Sequence, residues 1–239
     1  MRRAGDELLA ALGVAHVDLV LLDWAAAAGG AADALPPPVA AAWAGCEALL
    51  DANAARAAGL AHAGWRGVEA LLAACRVKPV VNAAELHPLL PQVRARRTQR
   101  CMRLRSRTAT PQRKMCGIAR RKGVELLALA PLARGAAALL QHPTVTELAK
   151  AHGVTPAQAR AVHGLPRAPR LTRRAAQVVL RYNVQRGVAA MPAAGTPADQ
   201  LDGVFGFQLT YPQKVLMDTL DNGTRVLAPP PGCIFPADD

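Results

Sequence analysis

Aromatic side chains make up only 3% of this 239-residue chain, although 51% of its residues are hydrophobic. Much of that hydrophobic content is alanine, so the core has few large side chains to bury, and modest stability is expected. Cysteine is scarce: Cys46, Cys75, Cys101, Cys116 and Cys233. The number is odd and no pair has C-x-x-C spacing, which argues against a disulfide framework or a metal site and for inert thiols. No apolar run reaches the roughly 18 residues that a membrane span needs. Asp6 and Glu7 come early and no secretory h-region follows them. These absences point to a soluble, reduced compartment, the cytoplasm.

Acidic residues are missing from two stretches. Val93 to Met115 holds eight Arg and one Lys with no acid, and Ala159 to Gln177 holds five Arg with no acid. The net charge of +12 therefore belongs to these segments and not to the rest of the chain. A basic balance suggests nucleic acid or an anionic membrane. The runs lack the interleaved aromatics that stack on bases, which argues against nucleic-acid binding.

Elsewhere the pattern alternates between strand and helix. Leu8, Leu9 and Leu12 have helical spacing and stop at Gly13, a C-cap residue. Val17 to Leu22 is an apolar run fit for a buried parallel strand. Val39 to Ala58 has helical composition, with a short strand near Ala57 to Leu60. A helix over Val68 to Cys75 and a strand over Pro79 to Ala83 follow. After the first basic run come a short helix, Cys116 to Gly123, and a buried strand, Val124 to Ala130. The spacing then predicts a helix over Thr144 to His152, capped by Thr144 or Thr146. Another opens at Thr155-Pro156 and resumes at Val178 to Arg186. A last strand spans Gly187 to Met191, with helices near Pro197 to Leu201 and Pro212 to Leu220 and a Pro-rich tail over 222–239. Five strand–helix units imply a parallel α/β architecture. This reading leaves a doubly wound sheet and part of a barrel equally open.

Local motifs favour the barrel. Gly13 to Trp24, GVAHVDLVLLDW, resembles the aldo-keto reductase stretch LGLDYVDLYLIHWP. Trp43 to Gly59 and VKPVVNAAELHP (Val77 to Pro88) resemble that family's next two stretches, the second being ikPavNQvElHP. Val124 to Leu132 resembles I.v.AYSPLg. Val145 to Gln158 followed by Val178 to Val188 resembles v.eiA..hg.tpaQvvLRw.lqrgv. Met191 to Asp199 stands where the family has IPKSvtpeR. The order matches throughout.

The resemblance implies an α/β fold, a TIM (β/α)8 barrel of which this chain would hold about strands 4 to 8 as a single incomplete domain over 1–239. About 250 residues are usual for a whole barrel. The two basic segments, 93–115 and 159–177, would be disordered insertions, and they read as translated introns. Open sheet edges would invite self-association.

The family reduces an aldehyde or ketone with hydride from NAD(P)H. The resemblance places its tyrosine acid, lysine and aspartate upstream of Met1, and its oxyanion-holding histidine at Asp23. The expected result is a truncated and catalytically impaired protein. Its serine and asparagine contacts to the nicotinamide fall on Ala61 and His62, its glutamine on Ala83 and its stacking tyrosine on Leu129. The phosphate-facing lysine, serine and arginine fall on Ala193, Ala194 and Asp199. Asn82 and the backbone of Ala130, Pro131 and Leu132 remain as cofactor-binding candidates for NADP(H), and Trp24 stands either on the family's substrate face or as rim packing. His62 reads as a solvated loop histidine and His87 as a structural one. The alternative function is a non-catalytic interaction protein built on a barrel remnant.

Overall fold

The computed structural model describes residues 2–28, 35–91, 119, 121–153, 170–194, 196 and 201–228. The first basic segment, 93–115, lies outside these residues. So do 159–169, the helix expected at Thr155-Pro156, most of that expected near Pro197, and the tail beyond 228.

Helix α1 (Arg2–Leu12) ends where Gly13 turns left-handed, at φ +66°. Strand β1 (Val17–Asp23) leads directly into a short helix, α2 (Trp24–Ala28). Pro37 and Pro38 open α3 (Pro37–Asp51), where a missing N–H costs nothing. The helix expected to continue to Ala58 stops at Asp51 instead. Asn53 adopts φ +55°, and Asn53 and Ala54 donate back to Leu50 and Leu49, closing the helix so that β2 (Ala55–Ala61) can begin. Helix α4 (Trp65–Ala74), β3 (Val81–Glu85) and β4 (Glu125–Leu129) follow. Then come α5 (Ala137–Leu140), α6 (Pro143–Ala151), α7 (Arg170–Val184), β5 (Ala189–Met191) and α8 (Tyr211–Asp218).

The five strands form one sheet in the order β1-β2-β3-β4-β5, every pair parallel. Strict sequential order decides the question that the sequence pattern leaves open. A doubly wound sheet reverses strand order at a switch point, and this one does not. With right-handed crossovers, sequential order keeps the helices on one side, as in a barrel wall. Among the described residues β1 and β5 are the edges.

Position at an edge explains why β1 is less buried than its apolar sequence suggests. Only Leu22 is buried, while Asp18 and Leu19 are exposed. The cap of α6 also differs from expectation. His142, not Thr144 or Thr146, supplies it, its Nδ1 accepting from the Thr144 N–H at 3.2 Å. The Thr146 hydroxyl donates instead to the Pro143 carbonyl at 2.8 Å.

The larger correction concerns the second basic segment. Residues 170–177, expected to be a disordered insertion, are the first two turns of α7. Ala175 and Ala176 are fully buried in the main apolar cluster with Val145, Leu148, Val179 and Tyr182. The arginines obscured a stretch whose small residues pack. Tyr182 further ties α7 to α8 by donating to the Asp218 carboxylate, and a reciprocal Thr210/Gln213 capping box starts α8.

Candidate functional site

In a parallel sheet of this winding, ligands meet the C-terminal strand ends. There the chain presents Asp23 from β1, His62 just past β2, and Asn82, Glu85 and His87 from β3 and its extension. The turn Ala130–Gly135 follows β4. Register pairs Asp23 with Ala61 and Ala61 with Ala83, so the first three strand ends lie side by side.

Asp23 accepts a hydrogen bond from the Ala26 N–H at 3.1 Å. It is the cap of α2. Trp24 is fully buried beneath α4, so close to Gly67 that a Cβ there would stand 2.6 Å from its ring. Of the two places open to it, the substrate face and packing, the ring takes packing: β1 passes directly into α2, and Trp24 joins the apolar cluster with Val39, Trp43, Val68 and Leu71. Asn82 is also buried, and its side-chain amide donates to the Ala63 carbonyl at 3.0 Å. Ala130 adopts φ +46° in a tight turn in which Ala133 donates to its carbonyl at 2.8 Å. Pro131 has no N–H to offer, and Leu132 is buried.

His62 has a different character from the solvated loop histidine expected. It is half-buried, its backbone is left-handed at φ +58°, and its N–H donates to the Ala83 carbonyl at 2.8 Å. Such a conformation is uncommon outside glycine, and histidine is among the residues that adopt it more readily, with asparagine and aspartate. Burial pushes the imidazole pKa down. Asp23 and Glu85 oppose that shift, and Arg225 adds to it, with a net lowering.

Glu85 and His87 form the most enclosed polar pair. The His87 Nε2 lies 2.9 Å from Glu85 Oε1, with both side chains buried. The same carboxylate accepts from the Val226 N–H at 2.6 Å and from the Leu227 N–H at 3.3 Å. Burial pushes the Glu85 pKa up. The bonds from His87 and the two backbone amides outweigh it, and the net direction is down. His87 is thus buried and hydrogen-bonded to Glu85. The tail contact and Arg225 had no local signal in the sequence. The two-residue spacing of Glu85 and His87, which sets both on one face of an extended chain, was the available clue to their pairing.

Among the described residues no group of His, Cys, Asp and Glu could hold a metal ion, and no helix is long and apolar enough to cross a membrane. An apolar cavity of about 500 Å³ lies away from the Asp23–Glu85 group, between α7, β5 and residues 201–205.

Comparison with known proteins gives these strand ends a context. The sequence profile of the Aldo/keto reductase family matches residues 1–217. An aldo-keto reductase of Mycolicibacterium smegmatis is 30% identical over 217 residues, covering 90% of this chain and 59% of that protein. Morphine 6-dehydrogenase of Pseudomonas putida is 31% identical over 227 residues, covering 94% and 64%. The chain thus spans less than two thirds of either relative. A Bombyx mori aldo-keto reductase solved in complex with NADP superposes with a TM-score of 0.67 at 19% identity, covering 95% of this chain and 64% of that one.

Proposed function

The chain belongs to the aldo/keto reductase family, and on that premise we propose that it is a carbonyl-reductase barrel protein whose own NAD(P)H-dependent activity is impaired or lost. We read β1 to β5 as the fourth to eighth strands of the family barrel. Their sequential parallel order supports this.

One observation carries the functional reading. Asp23 stands where the family motif has its histidine, and its carboxylate is occupied in capping α2. Reduction of a carbonyl builds negative charge on oxygen and needs donors aimed at it. A carboxylate supplies lone pairs and negative charge instead. Losing one such donor costs roughly 100- to 1000-fold in rate.

The residues present do not fit a nicotinamide dinucleotide. The Asn82 amide is spent on Ala63. Ala61, Ala83, Ala193 and Ala194 place methyl groups where the family motif has hydrogen-bonding or charged side chains. In the β4 turn Pro131 has no N–H to offer. The test is NADPH oxidation with a panel of aldehydes and ketones. Turnover within tenfold of an intact family member, about 1.4 kcal/mol of barrier, would overturn the reading.

A second reading is self-association through the sheet edges. It draws support from the apolar groove beside β5, where Phe205 is 77% exposed with Leu201 in the same lining. An uncovered edge strand and an apolar patch both favour a protein partner. A concentration series in sedimentation velocity decides it. A monomer at all concentrations would exclude this reading.

A further inference from the structure

The apolar cavity beside β5 has a volume of about 500 Å³. Leu180 and Val184 of α7, Val188 and Ala190 at the last strand, and Leu201 and Phe205 line it. Its volume falls within the roughly 300–1,000 Å³ of small-molecule sites. One charge stands at the wall of this apolar space. Gln177, Arg181 and Val184 recur at helical spacing on one side of α7. Gln177 donates to the Asp202 carbonyl, Arg181 sets its guanidinium carbon 5.9 Å from the centroid of the Phe205 ring, and Val184 lines the cavity. This side of the helix therefore meets residues 202–205.

Arg181 is only 9% exposed. Its Nε is buried without a hydrogen-bond partner, and among the described residues no carboxylate pairs with its guanidinium. Asp202 faces the same stretch of helix, yet its contact is through the backbone carbonyl, to Gln177. A buried cation without a counter-charge is costly. Arginine's planar fork matches a carboxylate, which it can hold by two parallel bonds. The Phe205 ring offers the cation a π face and the cavity an outer wall. Apolar surface docked here would leave the charge unpaired. An acid with an apolar body would fill the cavity and neutralise the cation together.

We propose that this cavity binds a small monocarboxylic acid, its apolar body among Leu180, Val184, Val188 and Ala190 and its carboxylate paired with Arg181 beside Phe205. Alkanoic and arylalkanoic acids share this chemistry. The inference stands independently of whether the chain reduces carbonyls. It goes beyond edge-to-edge association, with which it competes for the same groove.

The test is calorimetric titration of the full chain with octanoate, octan-1-ol and octylammonium, the amide shifts of Val188 and Ala190 being followed by NMR. Octanoate is expected to saturate, to shift both amides and to bind about tenfold tighter than the alcohol, the worth of one charge-assisted pair. Octylammonium is expected not to bind. A parallel series with 4-phenylbutanoate separates aryl from alkyl bodies, and the tighter acid names the body. Arg181→Gln is expected to bring the acid down to the level of the alcohol and to leave the alcohol unchanged. Phe205→Ala, at an exposed position outside the core, is expected to weaken both several-fold. Equal affinity for acid and alcohol, an acid preference that survives Arg181→Gln, or shifts that spare Val188 and Ala190 would overturn the proposal. So would the absence of binding; joined to a sedimentation coefficient that rises with protein concentration, it would give the groove to a second copy. Should Arg181→Gln fail to fold, the wild-type comparison and Phe205→Ala decide, and unchanged acid affinity in the latter would place the ligand elsewhere.

Discussion

Asp23 closes β1 and starts α2 in one stroke, its carboxylate accepting the Ala26 N–H at 3.1 Å. A side chain at the end of a barrel-type strand is thereby spent on local structure. Replacement by alanine is expected to destabilise the fold by about 1 kcal/mol, the usual worth of a cap, and replacement by asparagine to change stability little. Urea denaturation of the two variants checks this. Equal losses would mean that the carboxylate's charge, and not its cap geometry, matters.

Glu85 makes stability depend on acid. Its folded pKa is lowered, by the net effect of its hydrogen bonds against burial. The folded state therefore gains from the ionised form. That contribution is fully present above the unfolded carboxyl value of about 4.3 and is lost as pH falls through the folded value. Denaturation midpoints measured from pH 7 downward are expected to fall through that window in the wild type and to fall less in Glu85→Gln.

His62 adds a second, higher window. Burial lowers its pKa, so folding favours the neutral ring. Stability from this source is present above the unfolded value of about 6.5 and is lost as pH falls through the folded one. An NMR titration of the imidazole is expected to move up in Arg225→Ala and further down in Asp23→Asn. Opposite movements would place neither charge near the ring.

The start of α7 can be probed by Ala175→Pro. A proline six residues into a packed helix is expected to cost about 3 kcal/mol or more. A neutral outcome in thermal unfolding would restore the expectation that residues 170–177 are an unpacked insertion.

Much of this architecture could be read before any coordinates. The strands are short apolar runs set between helical stretches, and Leu8, Leu9 and Leu12 stop at Gly13 where the turn requires it. The readings that failed turn on features that composition does not carry. The α3 end depends on Asn53 adopting a left-handed turn, which alanine-rich composition does not announce. The first turns of α7 were hidden by an arginine-rich stretch that also carries the buried Ala175 and Ala176. Trp24 sits in a family motif, yet the space beneath Gly67 takes its ring away from the strand ends. Neither the tail's grip on Glu85 nor the electrostatic setting of His62 has a sequence signature, because each joins segments far apart along the chain.

An equilibrium titration with NADPH, followed by quenching of the three tryptophans and by calorimetry, tests the loss of cofactor function most directly. With the donors occupied or replaced as described, no saturation is expected below about 1 mM, a binding free energy near −4 kcal/mol. Saturable one-to-one binding with a Kd in the micromolar range would contradict it, and would restore an ordinary nicotinamide site to these strand ends.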